Sequence, residues 1–327
     1  MKVTRRQCLW ALGGSFASAA GRDLAQEWQR IAADTDGTVG AAILHLGSGQ
    51  LVSLHGSTRF PLASVCKVPI AMNMLALVDE GKLALNHEIE VLPRDIFSGV
   101  SDIAKRWPAQ RHFPLREMIE LMVARSDNTA VETLFRIGGE GAAIAARLRK
   151  WMIEGLRIDR GERQCGLDRN GVEHYPPPAE WTDATLNALI AKTPPANRYE
   201  ATRHFLIDPR DTGTPDGTVQ LLAKAFRGEL LSKSSTSLLI EVMKATTTFP
   251  TRLKGLLPSG SVVAHKTGST ETVNGFTAAT NDSGVIYLPG DRGQIAISVY
   301  LKASTRDAAS RDRVIARISR AAFDFYL

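Results

Sequence analysis

The sequence predicts an α/β protein of the α+β type: a mostly antiparallel sheet flanked by terminal helices, packed against an all-helical lobe, with the candidate active site between them. Three observations predict it. Strand-like runs of β-branched or alternating residues fall only towards the two ends, the middle of the chain runs at helical spacing, and an amphipathic helix stands at each end.

Residues 22–33 carry apolar side chains at helical spacing and stop at Asp34-Thr35-Asp36-Gly37. Two apolar runs, 38–46 and 50–55, are divided by Gly47-Ser48-Gly49, the pattern of a β-hairpin. The next run predicts a helix opening at Ser64, which Pro69 should tighten or kink by removing one backbone donor. From 83 to 150 the spacing is helical almost throughout, with helices over 114–124, 129–137 and 142–152 parted by Ser126-Asp127-Asn128 and by Gly138-Gly139. Residues 160–215 are polar and proline-rich, with helices over 183–192, behind a Thr182 cap, and near 199–206. Helical spacing returns over 216–226 and 235–244. Strands are expected over 261–265, 275–280, 284–288 and 294–302, and a helix over 304–326 closes the chain.

At 327 residues and 44% hydrophobic content the chain can bury a sizeable core. Residues 1–20 read as a cleaved export signal, with Lys2, Arg5 and Arg6 ahead of a short apolar run from Cys8 to Phe16 and small residues after it. That places the mature protein in the periplasm or outside the cell. The Arg5-Arg6 pair leaves the twin-arginine and general secretory routes both open, and the run is too short to stay as a membrane anchor. The formal charge of +6 drops to +3 once those three cations leave with the signal. With no basic-aromatic stripe, a nucleic-acid partner is excluded. Cys66 and Cys165 could pair in an oxidising compartment or persist as buried free thiols, and no Cys/His cluster has metal-ligand spacing.

Three polar clusters fall at breaks in the element pattern: Ser64-x-x-Lys67, Ser126-Asp127-Asn128 and Lys266-Thr267-Gly268-Ser269. A serine and a lysine one helical turn apart bring an amine within reach of a hydroxyl, although such a pair alone also reads as an exposed lysine near a helix start. In this order and context the trio resembles that of the class A serine β-lactamases. The resemblance runs from about residue 22 to the end and extends to Ile137-Gly138-Gly139 and to residues 208–215 and 281–286.

The resemblance implies hydrolysis of a β-lactam through an acyl-enzyme on Ser64, without metal or cofactor, by a monomer. Lys67, its pKa depressed by burial beside Lys266, would take the Ser64 proton, and Ser126 would relay it to the lactam nitrogen. Asn128 would hold the substrate's side-chain amide, and Lys266, Thr267, Gly268 and Ser269 would bind its carboxylate and line the oxyanion site. Arg252 stands where the family places an arginine that assists that carboxylate. Glu162, 34 residues beyond Asn128 in Asp159-Arg160-Gly161-Glu162, would activate the deacylating water. Gly166 stands where the family has a water-holding asparagine, and the 49 residues from Glu162 to Asp211, the expected partner of Arg160, include an insertion. Within it, Arg198-Tyr199-Glu200 repeats the Arg-x-Glu pattern and makes Glu200 a runner-up. The implied sheet lobe is 21–60 with 216–327, and the helical lobe 64–215, its enlarged loop spanning 160–211. A penicillin-binding D-Ala-D-Ala peptidase and a non-hydrolytic periplasmic β-lactam sensor are the rival readings.

Overall fold

The computed structural model describes residues 19–327, with side chains from residue 23 onward. Helix α1 (Ala19–Ala32) leads into the hairpin of β1 (Thr38–His45) and β2 (Leu51–Leu54), and β3 (Phe60–Pro61) runs through a 3-10 turn (Ala63–Cys66) into α2 (Lys67–Asp79). The middle holds β4 (Glu88–Glu90), α3 (Asp102–Arg106), β5 (His112–Pro114), α4 (Leu115–Ala124), α5 (Asn128–Ile137) and α6 (Glu140–Lys150). Helices α7 (Glu162–Arg169), α8 (Asp183–Lys192) and α9 (Pro195–Phe205) precede β6 (Thr212–Gly213), α10 (Pro215–Phe226) and α11 (Lys233–Lys244). Strands β7 (Val263–Ser269), β8 (Thr272–Val273), β9 (Phe276–Tyr287) and β10 (Gln294–Ser304) and helix α12 (Ala308–Asp324) complete the chain.

The main sheet runs β2-β1-β10-β9-β7, with β8 paired to β9, and every pairing is antiparallel. Strands from both ends of the chain therefore meet at its centre, as the sequence predicts. Its two faces serve different cores because side chains alternate along each strand. On β10, Ile295, Ile297, Val299 and Leu301 face α1 and α12, joining Trp28, Ile315 and Phe323. Ala296 and Tyr300 between them join the other core, with α2, α4, α5, α10 and α11. Helix α2 is at the centre of that second core, buried continuously from Lys67 to Ala76, which is why its sequence is apolar all round.

Two expectations need correction. The runs 275–280 and 284–288 are one strand, β9, whose polar centre is buried because each residue there has a task. Asn281 Nδ2 donates to the Pro61 and Leu62 carbonyls at 2.8 and 3.0 Å, and Asp282 accepts from His265 Nδ1 at 2.9 Å. The stretch 83–113 is helical only in a single 3-10 turn at Pro93–Asp95 and the five residues of α3. Pro93, Gly99 and Pro108 interrupt it, and β4 and β5 pair there with Ile89 opposite Phe113. Pro69 falls in the first turn of α2, where no amide donor is needed, and the tightening shows instead as the 3-10 turn ahead of it. Thr182 does cap α8, accepting from the Thr185 amide at 3.1 Å. The export signal expected over 1–20 lies, up to residue 18, outside the described residues. Among the described residues no helix is long and apolar enough to cross a membrane.

At Gly284 an added Cβ would stand 2.2 Å from the Ala264 carbonyl oxygen on β7, the least room at any glycine of the main sheet. Backbone cannot give way as a side chain tip can. Gly284→Ala is expected to lower unfolding free energy by about 2 kcal/mol or more, read as a fall in the urea midpoint at unchanged slope.

Candidate active site

Ser64 is the second residue of the 3-10 turn, in which residues three apart eclipse, and the Lys67 amide donates to the Ser64 carbonyl. The serine and the lysine therefore leave the turn on one side. The turn is held from three directions: Ala63 is in the left-handed region at φ +47°, the Leu62 amide donates to the Asp211 carbonyl at 2.9 Å, and Asn281 grips the two carbonyls before it. Strand β7 runs directly against it. A Cβ at Gly268 would lie 3.0 Å from the Ser64 nitrogen and 2.8 Å from the Leu62 carbonyl oxygen, so only glycine allows the two backbones to meet. Amides converging from two elements can hold an oxyanion.

Lys67 and Lys266 are both fully buried. Lys67 Nζ donates to the Ser126 carbonyl at 2.8 Å, Ser126 Oγ at 3.1 Å and Asn128 Oδ1 at 2.6 Å. Lys266 Nζ donates to the same Ser126 Oγ at 3.0 Å and to the Thr267 carbonyl at 2.9 Å. One hydroxyl thus bridges two amines. Burial holds Lys67 below the usual lysine range, opposed chiefly by the charge of Glu162. Burial and then the charge of Lys67 push Lys266 well down, with Asp282 opposing. An amine so placed sheds its proton more readily than one in water, which a base requires.

Ser126 reaches this position through a left-handed conformation, φ +60°. Asp127 holds it there. Its Oδ1 accepts from Ser101 Oγ and the Ala130 amide, both at 2.9 Å, and its Oδ2 from the amides of Asp102 and Ile103 at 2.6 and 3.1 Å. Thr267 is buried, its hydroxyl 2.6 Å from that of Thr248, and Ser269 is exposed at the end of β7. Arg252 is buried rather than open to the cleft: its donors go to Asp312, to the Gly268 and Asn281 carbonyls, and to Ser269 Oγ at 2.7 Å. It reaches the site through Ser269.

Glu162 opens α7 and lines a cavity with Ala63, Cys66, Gly166, Ser269 and Thr270. Its loop is fastened by Arg160, which pairs with Asp211 as the sequence suggests and also with Asp168 and Asp208. Glu200 lies exposed on α9, outside that cavity, and Arg198 beside it donates to Asn170 Oδ1 at 3.1 Å. At Gly166 a Cβ would meet nothing within 4 Å, so the place of an expected side chain is open space. Cys66 and Cys165 line the cavity as free thiols, both pushed up by burial, Cys165 to about 12. Sequence reasoning picked out Asp127 and Asn281 only as members of their segments, without the supporting roles seen here, and missed Thr248 altogether. Asn281 carried a signal, a polar run inside a strand.

The fold and this cluster define a serine hydrolase of the β-lactamase type. The β-lactamase enzyme family profile matches residues 23–326, and the chain belongs to that family, in its class A branch. Its relatives include the extended-spectrum β-lactamase PER-1 of Pseudomonas aeruginosa, 30% identical over 99% of this chain and 94% of that protein. An imipenem-hydrolysing β-lactamase of Enterobacter cloacae is 29% identical over 95% and 92%. Among solved structures, a β-lactamase from Chitinophaga pinensis is 33% identical, covering 92% of this chain and 98% of that one at a TM-score of 0.76. TLA-1, an extended-spectrum β-lactamase, is 28% identical with coverage of 94% and 99% and a TM-score of 0.77.

Asp127→Asn keeps one acceptor but turns an amide NH2 towards other donors. It is expected to cost about 3 kcal/mol of stability, the scale of lost hydrogen bonds to a charged group, measured by denaturant unfolding.

Proposed function

We propose that the chain hydrolyses β-lactams in two steps, and the observation that carries the proposal is the Ser126 hydroxyl bridging two buried lysines beside Ser64. Neutral Lys67 takes the Ser64 proton as Oγ bonds to the lactam carbonyl carbon, and the oxyanion sits against the amides where β7 meets the nucleophile turn. As the C–N bond breaks, the proton passes from Lys67 through Ser126, 3.1 Å away, to the leaving nitrogen. Lys266, Thr267 and Ser269 receive the substrate carboxylate, with Arg252 setting the Ser269 hydroxyl. Asn128, already an acceptor for Lys67, holds the side-chain amide. Glu162 then takes a proton from water as the water oxygen bonds to the ester carbon; the ester C–O bond breaks, and that proton passes from Glu162 to the leaving Ser64 Oγ, which restores both groups. Glu162 is assigned this step, and not Glu200, because Lys67 feels its charge and it lines the cavity beside Cys66.

The protein is further proposed to be exported by the segment 1–20, to act as a monomer without a nucleic-acid partner, and to keep the lobe boundaries read from its sequence. A chromogenic cephalosporin gives the primary test. Sustained turnover is expected, and a burst of one equivalent would assign the protein to the penicillin-binding peptidases instead.

Ser64→Ala is expected to lower turnover by on the order of 10⁴-fold or more. Glu162→Gln should still acylate and accumulate the covalent adduct, visible as a mass shift of the intact protein. Undiminished release in that variant would move the water-activating role elsewhere. Because Lys67 must be neutral to act and its pKa is depressed, the acylation rate should fall only as pH drops through that lowered value, giving an acid limb below the range of ordinary lysines.

A further inference from the structure

The inserted segment walls one side of the cleft that the proposed chemistry uses. Phe205, at the end of α9, and Thr270, just past the end of β7, line the same cavity as Glu162. Two walls run outward from there. Six residues of helix, about 9 Å, separate Phe205 from Tyr199. Three residues of extended chain, about 10 Å, separate Thr270 from Val273. Val273 pairs with Phe276 across a turn at Asn274 and Gly275, whose φ values of +48° and +76° reverse the chain. The two walls are thus of similar length, and they meet at their outer ends. The Tyr199 and Phe276 rings stand edge to face, centroids 5.9 Å apart and planes at 74°, and α9 packs along both β8 and β9.

Each wall is fixed on its own side. Helix α9 is clamped to the end of α7: Arg198 Nε donates to Asn170 Oδ1 at 3.1 Å, and the Thr202 hydroxyl donates to the Arg169 carbonyl at 3.4 Å. The strand wall is stitched to the sheet. Thr270 Oγ1 accepts from the Ala279 amide at 3.0 Å, and the hydroxyls of Thr272 and Thr277 lie 2.7 Å apart. The aromatic pair therefore joins the Glu162 side of the site to the β7 side.

A β-lactam leaves its acyl side chain in this gap. Once Ser64 is acylated, the ester carbon carries, besides its two oxygens, only the carbon that bears the acylamino group. That group lies beside Glu162 and Ser269, between α7 and the end of β7. The inner end of the gap is roomy, because a Cβ at Gly166 would meet nothing within 4 Å. Its outer end is spanned by the arch of α9 and the β8–β9 turn, and a long or branched side chain must pass beneath the two rings.

We propose that Tyr199 and Phe276 set substrate specificity by size: their contact closes the outer end of the acyl side-chain pocket, so that compact side chains enter freely and bulky ones must first part the rings. An aromatic pair of this kind is worth up to about tenfold in an equilibrium constant, and that is the penalty expected on kcat/KM for a bulky substrate. The proposal rests on acylation of Ser64 and is independent of which glutamate activates the water.

The test compares kcat/KM for two cephalosporins, cephalothin, with a flat thienylacetyl side chain, and ceftazidime, with a branched oxyimino one. The proteins are the wild type, Tyr199→Ala, Phe276→Ala, the double variant and Tyr199→Phe. In each alanine variant the cephalothin-to-ceftazidime ratio should fall about tenfold through a rise for ceftazidime, with cephalothin within about twofold of the wild type. The double variant should fall no further than either single one, because both remove the same contact. Tyr199→Phe keeps the ring and should keep the wild-type ratio. An unchanged ratio in both alanine variants would overturn the proposal. A fall of about a hundredfold in the double variant would also overturn it, since it marks two independent obstacles. So would a parallel loss for both substrates with a lower melting temperature, which marks a brace and not a gate. Absence of turnover of either substrate by the wild type would remove the acylation reading itself, and is seen before any variant is compared.

Discussion

Two lysine amines meet at one serine hydroxyl in the interior of this protein, and much of the surrounding structure exists to hold them there. Burying an ammonium group is costly unless its donors are met. Lys67 and Lys266 meet theirs mainly with neutral oxygens, those of Ser126, Asn128 and Thr267. A carboxylate in direct contact would stabilise both charges and leave Lys67 protonated, which would disable the base role proposed for it. Neutral acceptors satisfy the geometry while letting the pKa fall. The left-handed Ser126, the four-fold acceptor Asp127 beneath it and the side-chain-free Gly268 follow from this one requirement, since each brings an oxygen or a backbone close to a buried amine or to Ser64.

The insertion after Glu162 is built rather than slack. Leu167, Val172, Trp181 and Leu186 form a small core of their own under it, and buried Arg160 gathers Asp168, Asp208 and Asp211. Tyr199 on α9 meets Phe276 on β9 edge to face with ring centroids 5.9 Å apart. The inserted segment thus reaches from the Glu162 helix to the strand at the rim of the cleft. A long loop gains its order from such contacts and not from length.

Much of this was legible in the sequence, and the reasons differ by element. Terminal helices, the first hairpin and α8 were readable because their apolar spacing and caps are local. The three polar clusters were readable because a Ser-x-x-Lys, a Ser-Asp-Asn and a Lys-Thr-Gly in that order have few other uses. Strand β9 was not, because Asn281 and Asp282 look like turn residues until their partners, the Pro61 and Leu62 carbonyls and His265, are placed by the fold. The β4–β5 ribbon was hidden for the same reason, being three residues a side and paired across more than twenty. Arg252 could be picked out as an arginine near the site, but only the fold shows its donors spent on Asp312, Gly268, Asn281 and Ser269.

The residues proposed for the two half-reactions rest on different kinds of structure. Ser64, Lys67, Ser126 and Lys266 are carried by α2, the α4–α5 turn and β7, all packed on the main core. Shifting any of them means repacking it. Glu162 is carried by an eight-residue helix whose hold on the core passes through Glu132, Arg160 and the inserted helices. That attachment is mostly polar, and polar attachments can be exchanged one at a time without opening a cavity. The open space at Gly166 and the extra helices lie on this side of the site. The half proposed to acylate keeps the three polar clusters by which the resemblance was read, while the half proposed to activate water has room to differ around Glu162.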